Sequence, residues 1–147
     1  MSDLDDLIRF LPQKQPFLFL DHVTEAVPGE RAAGTKTFPA GDRIFENHLP
    51  DEPLVPGVIL IEALAQLCAI VLIPATGGQP VHGYLAEVSR MRFRRLIHPD
   101  EVIALEAKLD RRMGSAARFE VCARVGDEVA AEGFVTVGGM RGQTAPS

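Results

Sequence analysis

Several things are scarce in this sequence, and each scarcity excludes a class of protein. Only two cysteines occur, Cys68 and Cys122, and they form no close-spaced motif. A disulfide framework and a cysteine zinc site are therefore excluded, and a reducing compartment is expected. The four histidines, His22, His48, His82 and His98, have no ligand-like spacing among themselves or with the cysteines, so neither a metal nor an organic cofactor is implied. Basic residues are outnumbered, 15 Lys and Arg against 20 Asp and Glu, and the net charge of −5 argues against general nucleic-acid binding. No apolar run reaches membrane-spanning length. The longest, Val58 to Ile73, comes to roughly 24 Å at the helical rise against a hydrocarbon core of ~30 Å, and it carries an acid. The amino terminus (Asp3, Asp5, Asp6) lacks the hydrophobic core of a secretory signal, so a cytoplasmic protein is expected. Repeats are missing, as is any low-complexity tract before the Gly-containing tail at 138–147. At 147 residues the chain is predicted to be one domain, 1–147, with that tail flexible.

What is present is organised around the apolar run. Bounded by Pro56-Gly57 and Pro74, Val58 to Ile73 is predicted as one helix, apolar around its circumference and hence buried. Glu62 and Gln66 interrupt its polarity, four residues apart on one face. A carboxylate in such surroundings costs several kcal/mol unless it is paired, hydrogen-bonded or protonated. Two readings follow: a structural acid tied to Gln66, or a carboxyl group that exchanges a proton near neutral pH. The upstream segment favours the second. His48 stands in a loop stiffened by Pro50, Pro53 and Pro56, which can hold an imidazole in one orientation at the mouth of the helix. The backbone N–H groups of Gly57 and Val58 are the orphan donors of the helix start, where the macrodipole favours a developing oxyanion.

Before the helix, Ser2 and Asp5 resemble a capping box, and Leu4, Leu7, Ile8 and Leu11 have helical spacing up to Pro12. Strands are predicted over Phe17 to Val23 and Ala32 to Phe38, turning at Pro28-Gly29. Ala40 to Pro56 lacks periodicity, and a loop of that length is usually functional. After a linker at Thr76-Gly77-Gly78 the remainder reads as strand. Alternation is plain in Val102 to Asp110, again through Ala117, Phe119, Val121, Ala123 and Val125, and again through Val129, Ala131, Gly133, Val135 and Val137. Gly114-Ser115 and Gly126-Asp127 mark the hairpins. The periodicity predicts an α+β fold, an antiparallel sheet whose buried face is covered by one long helix. In the strand Tyr84 to Arg95, Arg90, Arg92 and Arg94 share a face opposite Met91 and Phe93, and Arg95 adds a fourth charge. This is either a solvated strand face or a basic patch for an acidic carrier or a phosphate, with Arg111 and Arg112 near it.

Three segments together, Asn47-His48-Leu49-Pro50, Pro53-Leu54-Val55-Pro56-Gly57-Val58 and Glu62-Ala63-Leu64-Ala65-Gln66, resemble the active-site signature of the FabZ-type β-hydroxyacyl-acyl carrier protein dehydratases. The fourteen-residue spacing from His48 to Glu62 is that family's, and the glutamate separates it from the related FabA type, which has aspartate there. Leu11-Pro12, Pro16 to Asp21, and Met91 to Arg95 with Pro99-Asp100 extend the resemblance to residues 8–137. The sequence departs from the family pattern at Asn47 and Asp51, where glycine is usual, and at Gln13-Lys14-Gln15, which replaces a histidine-arginine-tyrosine-like element. The resemblance implies a hot-dog fold, with an antiparallel sheet wrapped around a central helix. It implies a 3-hydroxyacyl thioester on the phosphopantetheine of acyl carrier protein as substrate, dehydrated to the trans-2-enoyl thioester. His48 would act as base, Glu62 as acid, the Gly57 and Val58 amides as oxyanion donors and Gln66 as orienter of Glu62. Arg90, Arg92, Arg94 and Arg95 would be carrier-docking residues. A homodimer or trimer of dimers is implied, with histidine and glutamate from different subunits. A hot-dog thioesterase, a CoA-dependent enoyl hydratase and a non-catalytic acyl-binding paralogue stay open at this point.

Overall fold

The computed structural model describes residues 3–46, 51–73 and 83–139. A 3₁₀ helix, Asp5–Phe10, leads to strands β1 (His22–Val27) and β2 (Arg31–Thr37), then a short 3₁₀ turn, Arg43–Phe45, and the helix α1 (Gly57–Leu72). Four strands follow: β3 (Tyr84–Phe93), β4 (Val102–Met113), β5 (Ala116–Val125) and β6 (Glu128–Gly138). They form a single sheet in the order β1-β2-β4-β5-β6-β3, antiparallel at every pairing. The helix crosses the inner face, packed on β4 and β2 and reaching β5 and β6. This is the hot-dog arrangement, a curled sheet around one helix.

The alternation read in the sequence explains the core. Ile103, Leu105 and Ala107 of β4, Phe119, Val121 and Ala123 of β5, and Val135 and Val137 of β6 are buried in one cluster with Leu60, Leu64, Leu67 and Val71 of α1. In β4 and β5 their neighbours along the strand face outward, as the period of two requires, whereas Thr136, between Val135 and Val137 on β6, is buried as well. Gly114 and Gly126 turn the two hairpins at positive φ, 63° and 59°, each followed by a residue with φ negative, the pattern of a type II′ turn. The third alternation is interrupted: Ala130 is buried beside Ala131 because β6 carries an extra residue opposite Ala123 and Arg124.

Several expectations are corrected. The first strand begins at His22, not Phe17, because Phe17 and Phe19 give their backbone groups to the side chain of Gln66 on α1 and so are tied to the helix. Ser2 lies outside the described residues. Asp5 makes no cap: its carboxylate accepts from Val23 N at 2.8 Å and pairs with His22 Nδ1 at 3.1 Å, stapling the N-terminal segment to β1. The loop Ala40 to Pro56 contains the 3₁₀ turn, started by Asp42 accepting from Ile44 N. The helix is buried from Ala63 onward, but its first turn emerges, with Val58 72% exposed. The linker Thr76-Gly77-Gly78 lies outside the described residues, as does the tail from 140 onward.

Strand β3 is bulged, and the bulge decides what its residues face. Ser89 lies opposite Phe134 and Arg92 opposite Glu132, so β3 has one residue more than β6 between these pairs. Arg90 takes the extra turn at φ 54°, and Met91 passes so close to β6 that a Cβ on Gly133 would lie 2.7 Å from its Cα. Unbulged, Ser89 facing outward would put Arg92 inward. The bulge reverses this: Arg90, Arg92 and Arg94 face the outer groove and Phe93 turns toward the start of α1.

Candidate active site

Glu62 is held by its neighbour one turn along. Gln66, 1% exposed, is fully used: its Oε1 accepts from Phe19 N at 2.8 Å, and its Nε2 donates to Phe17 O and to Glu62 Oε2, both at 3.0 Å. The spacing i to i+4 puts both side chains on one face, and the Phe17–Phe19 segment engages the second N–H and the oxygen of the amide. Glu62 thus has one oxygen pinned. Its Oε1 accepts no hydrogen bond from the described residues and the half-buried carboxyl group lines a cavity of about 250 Å³. Gln13, Phe17, Ala65, Ala69 and Tyr84 share that cavity. A carboxyl group fixed in orientation with one free oxygen over a mixed polar and apolar space can give a proton to, or take one from, a bound ligand.

At the helix mouth, Ile59 and Leu60 donate the first intrahelical bonds to Pro56 O, leaving the Gly57 and Val58 amides ahead of them as donors. Here the glycine is a matter of space. A Cβ on Gly57 would stand 3.0 Å from the ring of Phe93. Gly57, Leu54, Leu60, Phe93, Arg95 and Ile97 line a second cavity of about 240 Å³. Glu62 and Gly57 are five residues apart, which on a helix is about 140° of rotation and about 7.5 Å of rise. Within one chain they therefore open onto different cavities and are not brought together. His48, on which the sequence reading leans, lies outside the described residues.

The four arginines also separate. Arg90, Arg92 and Arg94 line a groove of about 500 Å³ on the outer face of the sheet, together with Lys108 and Arg124 and with Glu106, Glu120 and Glu132. Arg94 is paired with Glu132, whereas Arg90 and Arg92 form no ion pair among the described residues. Arg95 is at the helix mouth. Its guanidinium holds Glu101 in a bidentate pair at 2.9 and 2.7 Å and reaches Glu128 at 3.3 Å. With His98 N also donating to Glu101, this pair pulls the Glu101 carboxyl down to about 2 and raises the Arg95 guanidinium further. The loop so clamped pairs with the chain entering α1 through Val55 N and Ile97 O at 2.8 Å. Arg111 approaches Asp110, and Arg112 stands on β4 opposite Ala117.

The other reactive groups lie away from either cavity. Burial pushes the Cys68 thiol well up, and Cys122, on the floor of the outer groove, is raised for the same reason. His98 joins the Glu101 cluster, and His82 lies outside the described residues. Among the described residues no group of three His, Cys, Asp or Glu is placed to hold a metal ion, and no helix is long and apolar enough to cross a membrane. Sequence reasoning missed three parts of this geometry: the Phe17 and Phe19 backbone on Gln66, the Phe93 ring over Gly57, and the Arg95–Glu101 clamp. Only the last had a signal, an unpaired basic strand end followed by an acid within six residues.

Comparison with known proteins bears on these cavities. The FabA-like domain model matches residues 11–133. A 3-hydroxyacyl-(acyl-carrier-protein) dehydratase FabZ of Natranaerobius thermophilus is 36% identical over 138 residues, covering 92% of this chain and 96% of that protein. The FabZ of Paracidovorax citrulli is 36% identical over 135 residues, covering 90% and 92%. Among solved structures, the dehydratase heterocomplex ApeI:P from Xenorhabdus doucetiae superposes with a TM-score of 0.76 at 17% identity, over 90% of this chain and 89% of that one, a likeness of fold.

Proposed function

The chain belongs to the FabA-like domain family, among relatives that are FabZ dehydratases, and from that premise we propose that His48 and Glu62 divide the proton transfers of its reaction. The protein is a 3-hydroxyacyl-acyl carrier protein dehydratase, a lyase of fatty acid biosynthesis that forms the trans-2-enoyl thioester. His48, neutral, takes the proton from C2, and the electron pair of that bond becomes the second bond between C2 and C3. The C3–O bond breaks toward oxygen, which takes a proton from Glu62 and leaves as water. The Gly57 and Val58 amides stabilise the negative charge on the thioester oxygen. The observation that carries this reading is the state of Glu62, held by a Gln66 whose two N–H groups and oxygen are all engaged, with its second oxygen accepting no bond from the described residues and the side chain lining a cavity.

The site is assembled from two chains. In one chain the helix mouth and Glu62 open onto separate cavities, so a ligand touching both amide donors and acid needs a second copy to bring them together. Strand β3 supplies a surface for that copy. It is a ten-residue edge strand, paired among the described residues on the β6 side alone, and it exposes Tyr84, Leu85, Val88 and Phe93. Proteins cover or blunt such apolar edges, and a second β3 would cover it while extending the sheet. A homodimer, further assembled as a trimer of dimers, is the arrangement proposed. The substrate arrives on the phosphopantetheine of acyl carrier protein in the cytoplasm. Arg90 and Arg92 are the cations left to meet an acidic carrier, since Arg94 and Arg95 are engaged within the chain.

The test is enoyl absorbance on incubation with 3-hydroxyacyl chains of several lengths, each on carrier protein and on CoA. Enoyl forms faster from carrier-bound substrate, and His48→Ala and Glu62→Gln each slow it by roughly a hundredfold or more. A wild-type protein inert on every chain refutes the dehydratase reading, and variants as fast as wild type refute the assignment of the residues.

A further inference from the structure

One wall of the Glu62 cavity is a single layer of chain. Pro12 and Phe17 line the cavity, while Leu11, Lys14, Gln15 and Leu18, interleaved with them in sequence, line a larger groove of about 830 Å³ beside the N-terminal 3₁₀ helix. This strap is fastened at both ends. Asp5 ties its approach to β1, and the Phe17 and Phe19 backbone groups are bound to Gln66 on α1. Between these anchors Phe17 N donates to Lys14 O at 2.7 Å and folds the strap back on itself. Among the described residues, Gln13 alone borders both spaces. Its Oε1 is sealed in the wall, out of reach of solvent and of any donor among the described residues. A buried acceptor left in that state is uncommon. The oxygen therefore does nothing to hold the wall, and what the side chain supplies there is bulk.

We propose that Gln13 is a specificity-determining residue, a plug between the two spaces that sets the longest acyl chain the Glu62 cavity accepts. This deepens the dehydratase reading and rests on it for the acyl chain as ligand. A methylene fills about the volume of a water in the liquid, ~30 Å³, so a cavity of about 250 Å³ has room for about eight such groups. Short and medium chains end against Gln13. A longer chain leaves its last methylenes in water and forgoes the gain of burying each one. Beyond the plug the groove presents Ile8, Leu11, Leu18 and Leu20, so a chain that passes the wall ends on apolar surface. One side chain thus separates two substrate classes, chains that stop in the first space and chains that span both.

The test measures equilibrium binding of 3-hydroxyacyl pantetheine amides of even carbon number from six to fourteen, in wild type, Gln13→Ala, Gln13→Ser and Gln13→Met. Dehydration of the same chains on carrier protein is followed in parallel. In wild type the affinity rises with chain length up to about eight carbons and then levels off. Both small side chains open the wall. They bind the fourteen-carbon chain tenfold or more tighter than wild type does, the worth of about two newly buried methylenes, and bind the six-carbon chain alike. Gln13→Met keeps the volume and removes the polar end, so it retains the wild-type limit. If Gln13 serves only to support the fold, the small variants weaken every length by one factor and leave the limit in place, which overturns the proposal. A wild-type affinity that climbs without a limit through fourteen carbons overturns it, as does a limit that shifts as much in Gln13→Met as in Gln13→Ala. Turnover by wild type together with a length limit indifferent to Gln13 defeats this inference alone. A limit that moves with Gln13 in a protein that dehydrates no chain upholds the plug and defeats the reading of the function.

Discussion

Replacing Gln66 by methionine isolates the contribution of one amide to both fold and site. Methionine keeps the volume of the side chain in a position that is 1% exposed, so packing changes little and the three hydrogen bonds are what is lost. Their worth can be apportioned. Phe19 is 3% exposed, so its N–H is left without a partner, at about 1–3 kcal/mol. Phe17 is 51% exposed, so its carbonyl is rehydrated and only the net value of a bond, about 0.5–1.5 kcal/mol, is lost. The bond to Glu62 involves a half-buried carboxyl group and contributes a similar amount or more. The total is about 2–6 kcal/mol. With a urea slope near 2 kcal/mol/M, the unfolding midpoint falls by about 1–3 M at fixed protein concentration. Glu62 is also unpinned, so enoyl formation slows by tenfold or more in protein that is still folded. Gln66→Glu does not rescue. It gives Phe19 N an acceptor but removes the two N–H donors that hold Phe17 O and Glu62 Oε2. A methionine variant within about 0.5 kcal/mol of wild type and equally active would mean that Gln66 neither holds the Phe17–Phe19 segment nor orients Glu62.

Gly57→Ala places a Cβ 3.0 Å from the Phe93 ring, and the resulting overpacking lowers stability by about 1 kcal/mol. In a Phe93→Ala background the same change is neutral or stabilising, as a double-mutant cycle on denaturation midpoints would reveal. The Glu101 carboxyl, held down to about 2 from an ordinary 4.5, contributes stability that is full above pH 4.5 and is lost as pH falls toward 2. The stability gap between wild type and Glu101→Gln, measured by denaturation at a series of pH values, therefore closes over that window. A gap unchanged from pH 6 to pH 2.5 would contradict the clamp. Arg92→Ala raises KM for carrier-bound substrate several-fold, more so at low salt, and leaves KM for the matching pantetheine thioester unchanged, because a free surface charge acts on carrier encounter and not on the acyl group. Equal effects on both substrates would place Arg92 elsewhere in the mechanism.

Much of this molecule is written in local pattern. The alternation in β4 and β5, the hairpin glycines at 114 and 126 and the proline-bounded run of α1 each depend on residues a few positions apart; β5 and α1 were recovered to within a residue, and β4 starts where expected but runs on three residues past Asp110, to Met113. The pairing of Glu62 with Gln66 was equally legible, since one helical turn fixes it. Phe17 to Leu20 defeated the same reasoning. Its residues look like a strand, but their hydrogen bonds are made 47 and 49 positions away on α1, and that partner exists only after the sheet has closed over the helix. The faces of the β3 arginines were anticipated correctly for Arg90, Arg92 and Arg94. The bulge that produces this arrangement was not, since an inserted residue changes register without changing composition.

From sequence alone follow the elements, their buried faces, the family-like spacing of His48 and Glu62, and the meeting of Glu62 with Gln66, because periodicity and short-range spacing are properties of the chain itself. Tertiary structure alone decided that Arg95 is consumed by Glu101 and Glu128, that Phe93 lies over Gly57, that Gln13 shares a cavity with Glu62, and that the helix mouth opens elsewhere. These are contacts between distant segments. They depend on where the closed sheet brings each segment, and side-chain type at a single position carries no record of that.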